Sequence, residues 1–198
     1  KKLDMPISSE SVASVCFSTN DNAVCEVYVD DVIIEDSIYR SPIEEPIAAN
    51  TGEYDVAVQA CDIWREGTHF GWSSIRPYDY STPLGGYYDD GSKEQADLEI
   101  KWMSEHGINV YMPCWFRSSN NTKTPLYGEK LDALLSSPYI DKIKFSIVFE
   151  NSGGINSADD FMENILPYWT ERYFKHPSYY LVDNKPLIFI WNADKLLN

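Results

Sequence analysis

The sequence predicts an α/β fold: the first four strands of a (β/α)8 barrel of the TIM type, preceded by a small all-β remnant. Beyond residue 50, apolar strand-like runs alternate with helical stretches in the order β-α-β-α-β-α-β, which is typical of parallel strands joined by crossover helices. The runs are apolar on both faces, as in a sheet that is covered on both sides. A doubly wound sheet also fits, but no glycine-rich phosphate loop follows the first strand.

Four strands and three helices make up this alternation. The strands are predicted at 54–63, 108–116, 144–149 and 186–191, and the helices at 92–106, 129–135 and 157–174. Ser92 can cap the first helix, Gln95 completes a capping box, and Gly107 ends the helix. Ser157 caps the third helix. A complete barrel needs about 250 residues, so we expect this chain to reach half-way round one.

The first 50 residues differ from the rest. Short strand-like runs separated by Asn-Asp and Asp-Asp turns predict the C-terminal part of a β-sandwich-like domain over residues 1–40. Residues 41–50 contain two prolines and no periodicity, which indicates a linker. The barrel unit is then expected over residues 51–198. The chain begins with Lys1 rather than methionine, so we expect residues before it, and the lack of a signal peptide says nothing about export.

The composition excludes some partners. The formal net charge is −15, with 31 acidic against 16 basic residues, and such a surface repels nucleic acid. No stretch is long and apolar enough to span a membrane. Aromatic residues make up 14% of the chain, which suits the rim of a binding site or, equally, ordinary core packing. The oligomeric state is not predicted.

The cysteine and histidine pattern predicts no metal and no cofactor. Cys16, Cys25, Cys61 and Cys114 form no CxxC pair, and the three histidines show no HExxH spacing. Cys61 and Cys114 lie within apolar runs and are predicted to be buried. Cys16 and Cys25 could face each other across a hairpin, but their spacing alone does not show whether they form a disulfide. The sequence lacks the GxSxG motif, which is the signature of serine hydrolases with a Ser-His-Asp triad.

Each predicted strand ends in an aromatic side chain beside a polar one. Because the C-terminal ends of parallel strands meet at one rim, functional residues gather there. Flat rings that stack on sugars, with polar groups for the hydroxyls, favour a glycan site. The candidate residues are Trp64, Trp115, Arg117, Glu150, Asn151, Trp191 and Asn192.

Glu150 is the candidate catalytic residue. It follows the apolar run 145–149 where the strand opens into Asn-Ser-Gly-Gly. A carboxyl group at the mouth of an apolar strand is partly removed from water, which suits a general acid, and glycosidic cleavage usually uses two carboxyl groups. The alternative is a glutamate that caps the following turn or pairs with an arginine.

The long loop at 65–91 is predicted to be a binding loop. Its candidates for substrate contacts are His69, Trp72, Arg76 and Tyr87. For each of them the alternative is an ordinary surface contact.

The order of these motifs resembles glycoside hydrolase family 99 and the related WbsX-like proteins of polysaccharide loci. The resemblance covers residues 54–198 and rests on Trp64, Asp97 and the segments 83–88, 105–110, 145–151 and 176–190. It implies a (β/α)8 barrel that cleaves α-mannosidic linkages inside glycan chains with retention and without a metal. It also implies an extracellular or periplasmic location, since this class is secreted.

The resemblance is incomplete at the catalytic motif. Family 99 places two glutamates three residues apart after the third strand. Glu150 matches the first, whereas Gly153 stands at the second, and Asn151 and Ser152 replace a Pro-aromatic pair. Three hypotheses follow: a glycoside hydrolase whose second carboxylate comes from elsewhere, a glycosyltransferase-like WbsX-type protein of polysaccharide assembly, and a non-catalytic glycan-binding module.

Overall fold

A parallel sheet forms the framework of the protein in a computed structural model that describes residues 41–68, 70–118, 125–152 and 157–196. In chain order the strands are β1 (Ala57–Ala60), β2 (Val110–Arg117), β3 (Pro125–Leu126), β4 (Lys144–Phe145), β5 (Ile147–Phe149), β6 (Leu181–Val182), β7 (Lys185–Pro186) and β8 (Ile188–Ile190). Strands β1, β2, β5 and β8 lie side by side in that order, all parallel. The predicted fold class is confirmed, and within the described residues the sheet does not close. The predicted β-sandwich remnant at 1–40 lies outside them.

The helices occur where the sequence predicts them. They are α1 (Lys93–Glu105), α2 (Glu129–Ser136), and a continuous helical segment made of α3 (Ala158–Asp160), a π turn (Phe161–Ile165), α4 (Leu166–Trp169) and a second π turn (Thr170–Phe174). Pro167 has no N–H to donate to the helix and lies beside the first π turn. Short 3-10 turns occupy Trp72–Ser74, Asp79–Ser81, Ile140–Lys142 and Ala193–Leu196. Among the described residues, no helix is long and apolar enough to cross a membrane.

Both ends of α1 are set by residues next to them in the sequence. The Ser92 hydroxyl accepts a hydrogen bond from the Gln95 N–H at 3.2 Å, as predicted. The Gln95 side chain donates instead to Glu99, at 2.7 Å, so only half of the predicted capping box forms. Gly107 has a φ of 79°, a left-handed conformation that glycine adopts without strain and that ends the helix.

The hairpin β6–β7 was not predicted. Leu181 pairs with Pro186 and Val182 with Lys185, and Asp183 and Asn184 form the turn with φ values of 51° and 60°. Two consecutive left-handed residues of this type are the signature of a tight hairpin turn. The predicted strand at 186–191 therefore begins within a hairpin, and its parallel part is β8.

The hydrophobic core lies between one face of the sheet and the helices. Trp115 of β2 and Phe149 of β5 both meet Trp169 edge to face, with ring centroids 5.2 and 5.1 Å apart. All three side chains are at most 2% exposed. Because side chains alternate along a strand, residues 114, 116, 148 and 150 lie on the opposite face. We call the side of the sheet that carries Trp115 the helix-facing side and its opposite the inner face.

Residues 41–50, predicted as a linker, have no helix or strand and pack along the barrel unit. The Ala49 N–H donates to the Ser104 carbonyl at 2.8 Å, and the Tyr139 hydroxyl donates to the Ile43 carbonyl at 3.0 Å. The segment belongs to the same compact unit as the sheet, a unit that begins at Ser41.

Candidate active site

Three residues, two of them predicted candidates, are neighbours where β2, β5 and β8 end. Trp115 pairs with Phe149, and Phe149 with Ile190, so the next residues in register are Phe116, Glu150 and Trp191. The Glu150 N–H donates to the Trp115 carbonyl, and the Trp191 N–H donates to the Phe149 carbonyl, each at 3.0 Å. These bonds continue the parallel ladder. Glu150 therefore lies on the inner face at the carboxyl end of the sheet, between two aromatic residues.

The Glu150 carboxylate is half-buried and anchored on one side. Its Oε1 accepts a hydrogen bond from the Ser152 N–H at 3.1 Å, so the turn-capping role that the sequence left open is present. Within the described part of the chain, no Lys, Arg or His forms an ion pair with it. A carboxyl group has two oxygens. The hydrogen bond to one oxygen fixes the orientation of the side chain, and the other oxygen stays available. The arrangement therefore suits a positioned acid or base.

Phe116 was missed by the sequence analysis. It is half-buried on the inner face, whereas Trp115, its predicted counterpart, faces the helices. The alternation of side chains along a strand could have identified it. If Trp115 and Phe149 lie on one face of the sheet, the following residues Phe116 and Glu150 lie on the other.

Two predicted substrate-binding residues of β2 are corrected by the structure. Trp115 is 2% exposed and packs against Phe149, Trp169 and Tyr168. Arg117 is 5% exposed, and its guanidinium pairs with Asp160 through both terminal nitrogens. Both side chains point to the helix-facing side. They are core residues and cannot contact a substrate on the inner face.

Asn151 joins two strand ends. It is 6% exposed, its side-chain N–H donates to the Asn192 carbonyl at 2.7 Å, and its Oδ1 accepts from the Asn192 N–H at 2.9 Å. The predicted substrate contact is therefore corrected to a structural role that holds the end of β5 to the chain after β8. The Asn192 side chain accepts from the Lys195 N–H at 3.2 Å, and its role as a hydroxyl ligand stays a prediction.

The loop after β1 forms its own aromatic cluster. Trp64 stacks on Trp72 with ring centroids 4.6 Å apart. Trp72 is 3% exposed, and its indole N–H donates to the Tyr88 carbonyl at 2.8 Å. Trp72 thus packs the loop, and its predicted substrate contact is corrected. One face of Trp64 is covered in the same stack.

Arg76 and Tyr87 remain on the surface of this loop. The Arg76 guanidinium lies 4.4 Å from the centre of the Tyr87 ring and bonds to Glu66 at 2.9 Å. Arg76 is exposed and Tyr87 is half-buried, and the role of both as substrate contacts stays a prediction. His69 lies outside the described residues.

Cys61 and Cys114 are not buried, contrary to the prediction. Cys61 is exposed and Cys114 is half-buried, and both are free thiols. The apolar runs around them were interpreted as core, but both side chains lie on the inner face, which the described helices do not cover. An apolar run shows that a strand exists and leaves open which of its faces is covered.

A buried group of ionisable residues lies behind the end of β1, on the helix-facing side. Burial raises the pKa of Asp62 and raises that of Asp90 to about 7. The Asp90 carboxylate accepts from the Trp64 N–H at 2.8 Å, and Lys130 pairs with Glu99 beside them. Among the described residues, no group of three or more His, Cys, Asp or Glu side chains has a metal-binding arrangement. This group anchors the loop after β1.

Comparison with known proteins supplies a structural relative. The chain is similar to the glycoside hydrolase family 99 endo-α-mannosidase of Bacteroides thetaiotaomicron in complex with bis-tris-propane, with a TM-score of 0.52 and 18% identity, over 71% of this chain and 42% of that chain. A second structure of a family 99 endo-α-mannosidase from this organism has a TM-score of 0.47 and 23% identity, over 58% of this chain and 32% of that chain. No protein-family model and no curated protein sequence matches the chain.

This chain thus spans less than half the length of the enzyme it matches. A likeness at 18% identity shows the fold and leaves the activity open. The parallel order β1-β2-β5-β8 of this chain, with helices on one side, is that of part of a (β/α)8 barrel. At the level of the fold, the expected resemblance is confirmed: this chain is related in structure to glycoside hydrolase family 99.

Proposed function

We propose that this chain forms part of the active-site rim of a glycoside hydrolase that acts on an oligosaccharide or polysaccharide, with Glu150 as acid/base or as the group that assists the substrate. The observation that carries the proposal is the register that sets Glu150 between Phe116 and Trp191 at the carboxyl end of the sheet. Catalytic residues of barrel enzymes come from this end of the strands. The similar solved structures are endo-α-mannosidases, which makes α-mannosidic linkages the first substrates to test.

The flanking aromatic residues supply what a sugar site requires beside a carboxyl group. Trp191 is 59% exposed, so its ring offers an apolar face on which a pyranose ring can stack. Phe116, the neighbour of Glu150 in register on β2, adds an aromatic residue on the other flank. A carboxyl group at a strand end, with its direction fixed by one hydrogen bond, is the kind of group that general acid/base catalysis uses.

Cleavage of a glycosidic bond also needs a second group. Glu150 as general acid would protonate the leaving oxygen, while another carboxylate or the sugar's own hydroxyl stabilises the positive charge at the anomeric carbon. Asp62 and Asp90 do not fit this role, because they lie on the helix-facing side beside Tyr111 and Lys130, whereas Glu150 lies on the inner face. We propose that the partner group comes from a later strand of the complete barrel, and that the enzyme works outside the cytoplasm, as secreted glycosidases do.

The test uses the full-length protein and a panel of α-mannan oligosaccharides. Glu150→Gln keeps the oxygen that accepts from the Ser152 N–H and removes only the titratable group. We expect kcat to fall by about 100-fold to 10,000-fold, with substrate affinity little changed. Glu163→Gln, at an exposed position on the helical segment, serves as the control and should retain full activity.

Other outcomes would contradict the proposal in distinct ways. If Glu150→Gln left turnover intact, the residue would have no catalytic role. Tight glycan binding without turnover by the unmodified protein, measured calorimetrically, would identify a binding module instead. A rise in Tm with nucleotide sugars, which a hydrolase should ignore, would favour a transferase.

A further inference from the structure

Two free thiols lie side by side on the inner face, below Glu150. Ala60 of β1 pairs with Pro113 of β2, so the next residues in register are Cys61 and Cys114. The two thiols lie close enough to share a weak hydrogen bond, and the charge of Glu150 acts on Cys61. The glycan proposal does not use this pair.

We propose that Cys61 and Cys114 form a reversible disulfide that ties β1 to β2 beneath Glu150, by exchange with a small-molecule disulfide such as glutathione disulfide. Neighbouring strands lie about 4.8 Å apart. Disulfides join residues whose Cα atoms are about 4.4–6.8 Å apart. Two cysteines in register and on the same face of adjacent strands therefore meet the Cα distance requirement of a disulfide.

The exchange proceeds in two steps. The Cys61 thiolate attacks one sulfur of glutathione disulfide, forms a mixed disulfide and releases one glutathione thiolate. The Cys114 thiolate then attacks the Cys61 sulfur of that mixed disulfide and releases the second glutathione. Two electrons pass from the cysteines to glutathione, and the two cysteine protons end on the two released thiols. Cys61 acts first because it is the exposed member of the pair.

The surroundings of the pair make this exchange slow at neutral pH. Burial raises the pKa of Cys114 to about 12 and also raises that of Cys61, with added repulsion from Asp62, Asp90 and Glu150. An amide hydrogen bond from Gln59 to Cys114 opposes part of this effect. The attacking species is the thiolate, so the rate of oxidation must rise as the pH is raised.

The test is oxidation of the folded chain with glutathione disulfide at neutral and at alkaline pH, followed by acid quench, alkylation and peptide mapping. We expect a peptide that links Cys61 to Cys114, formed faster at alkaline pH and reversed by dithiothreitol. Cys114→Ser should stop at a glutathione adduct on Cys61. If both thiols were still alkylated after prolonged alkaline oxidation, or if the pair formed only in denatured protein, the proposal would be overturned.

A charge variant tests the placement of the pair independently of any glycan activity. Glu150→Gln removes one of the negative charges that act on Cys61, so the first exchange step should become about two-fold faster at a fixed pH. Glu163→Gln is remote on the helical segment and should leave the rate unchanged. An unchanged rate in Glu150→Gln would contradict the placement of Cys61 within reach of the Glu150 charge, whereas the linked peptide tests the disulfide itself.

Discussion

The two faces of the sheet use the same strands for different purposes. The helix-facing side carries Tyr111, Trp115 and Phe149, each at most 2% exposed. The inner face carries Phe116, Glu150 and the exposed Trp191 at its carboxyl end. Adjacent residues of β2 and β5 therefore differ in role, and a single step along the chain separates a core ring from a candidate substrate contact. The residue types at the strand ends cannot show which ring is in the core and which faces a substrate, since both faces hold aromatic residues.

The largest expected difference between the two faces comes from truncating one aromatic side chain on each. Trp115→Ala leaves a cavity against Trp169 and Phe149, and we expect the free energy of unfolding to fall by about 3–5 kcal/mol. Phe116→Ala should lower it by only about 1 kcal/mol but weaken glycan binding. Urea unfolding and calorimetric binding measure the two effects. Equal losses of stability would contradict the assignment of the faces.

The next expected effect concerns the ion pair on the helix-facing side. The Arg117 and Asp160 side chains are 1% and 9% exposed, so Asp160→Ala would remove the carboxylate that pairs with a buried guanidinium and lower stability by about 3 kcal/mol. The matched control is Asp132→Ala. Its pair with Arg172 has 60% and 49% exposed side chains and should contribute less than about 1 kcal/mol. Urea denaturation of both variants tests this, and similar losses would overturn it.

The smallest expected effect depends on pH. Because burial raises the pKa of Asp90 from 3.8 to about 7, the folded state holds this proton more tightly than the unfolded state. Asp90 therefore costs no stability below pH 3.8 and progressively lowers stability as the pH rises towards 7. Asp90→Asn keeps an acceptor for the Trp64 N–H and should gain about 2 kcal/mol at pH 8, after allowance for screening by water.

That gain should vanish in acid. At pH 3.5 the wild type and Asp90→Asn should unfold at nearly the same urea concentration, since the carboxyl group is then mostly protonated in both states. Asp141→Asn, an exposed carboxyl variant, serves as the control and should show no such pH-dependent gain. A gain of equal size at both pH values would mean that the amide improves packing rather than relieving a buried charge.

Much of the fold could be predicted from the sequence because the signals are local. The 3.6-residue pattern of α1, its Ser92 cap and Gly107 stop, and the apolar runs of β2 and β5 each depend on a few neighbouring residues. The hairpin β6–β7 was also encoded locally, in its Asp183-Asn184 turn, and was missed because the apolar run after it dominated the interpretation.

The candidate site was less predictable, and particular residues show why. Glu150 was found because it ends an apolar strand. Trp72, Trp115, Arg117 and Asn151 were assigned to substrate because of their residue type, yet the structure uses them for packing, an ion pair and a link between strand ends. Phe116 was overlooked beside the larger ring of Trp115. The type of a residue limits the interactions that its side chain can make, and the neighbouring residues in the fold determine which of them it makes.

The sequence by itself determined the order of strands and helices and the position of an acidic residue at the end of the third predicted strand. The tertiary structure alone decided which face of each strand meets the helices. The physical reason is that side chains alternate along a strand, so the burial of one face, set by the distant Trp169, assigns the roles of Trp115 and Phe116 together. No local pattern contains that contact.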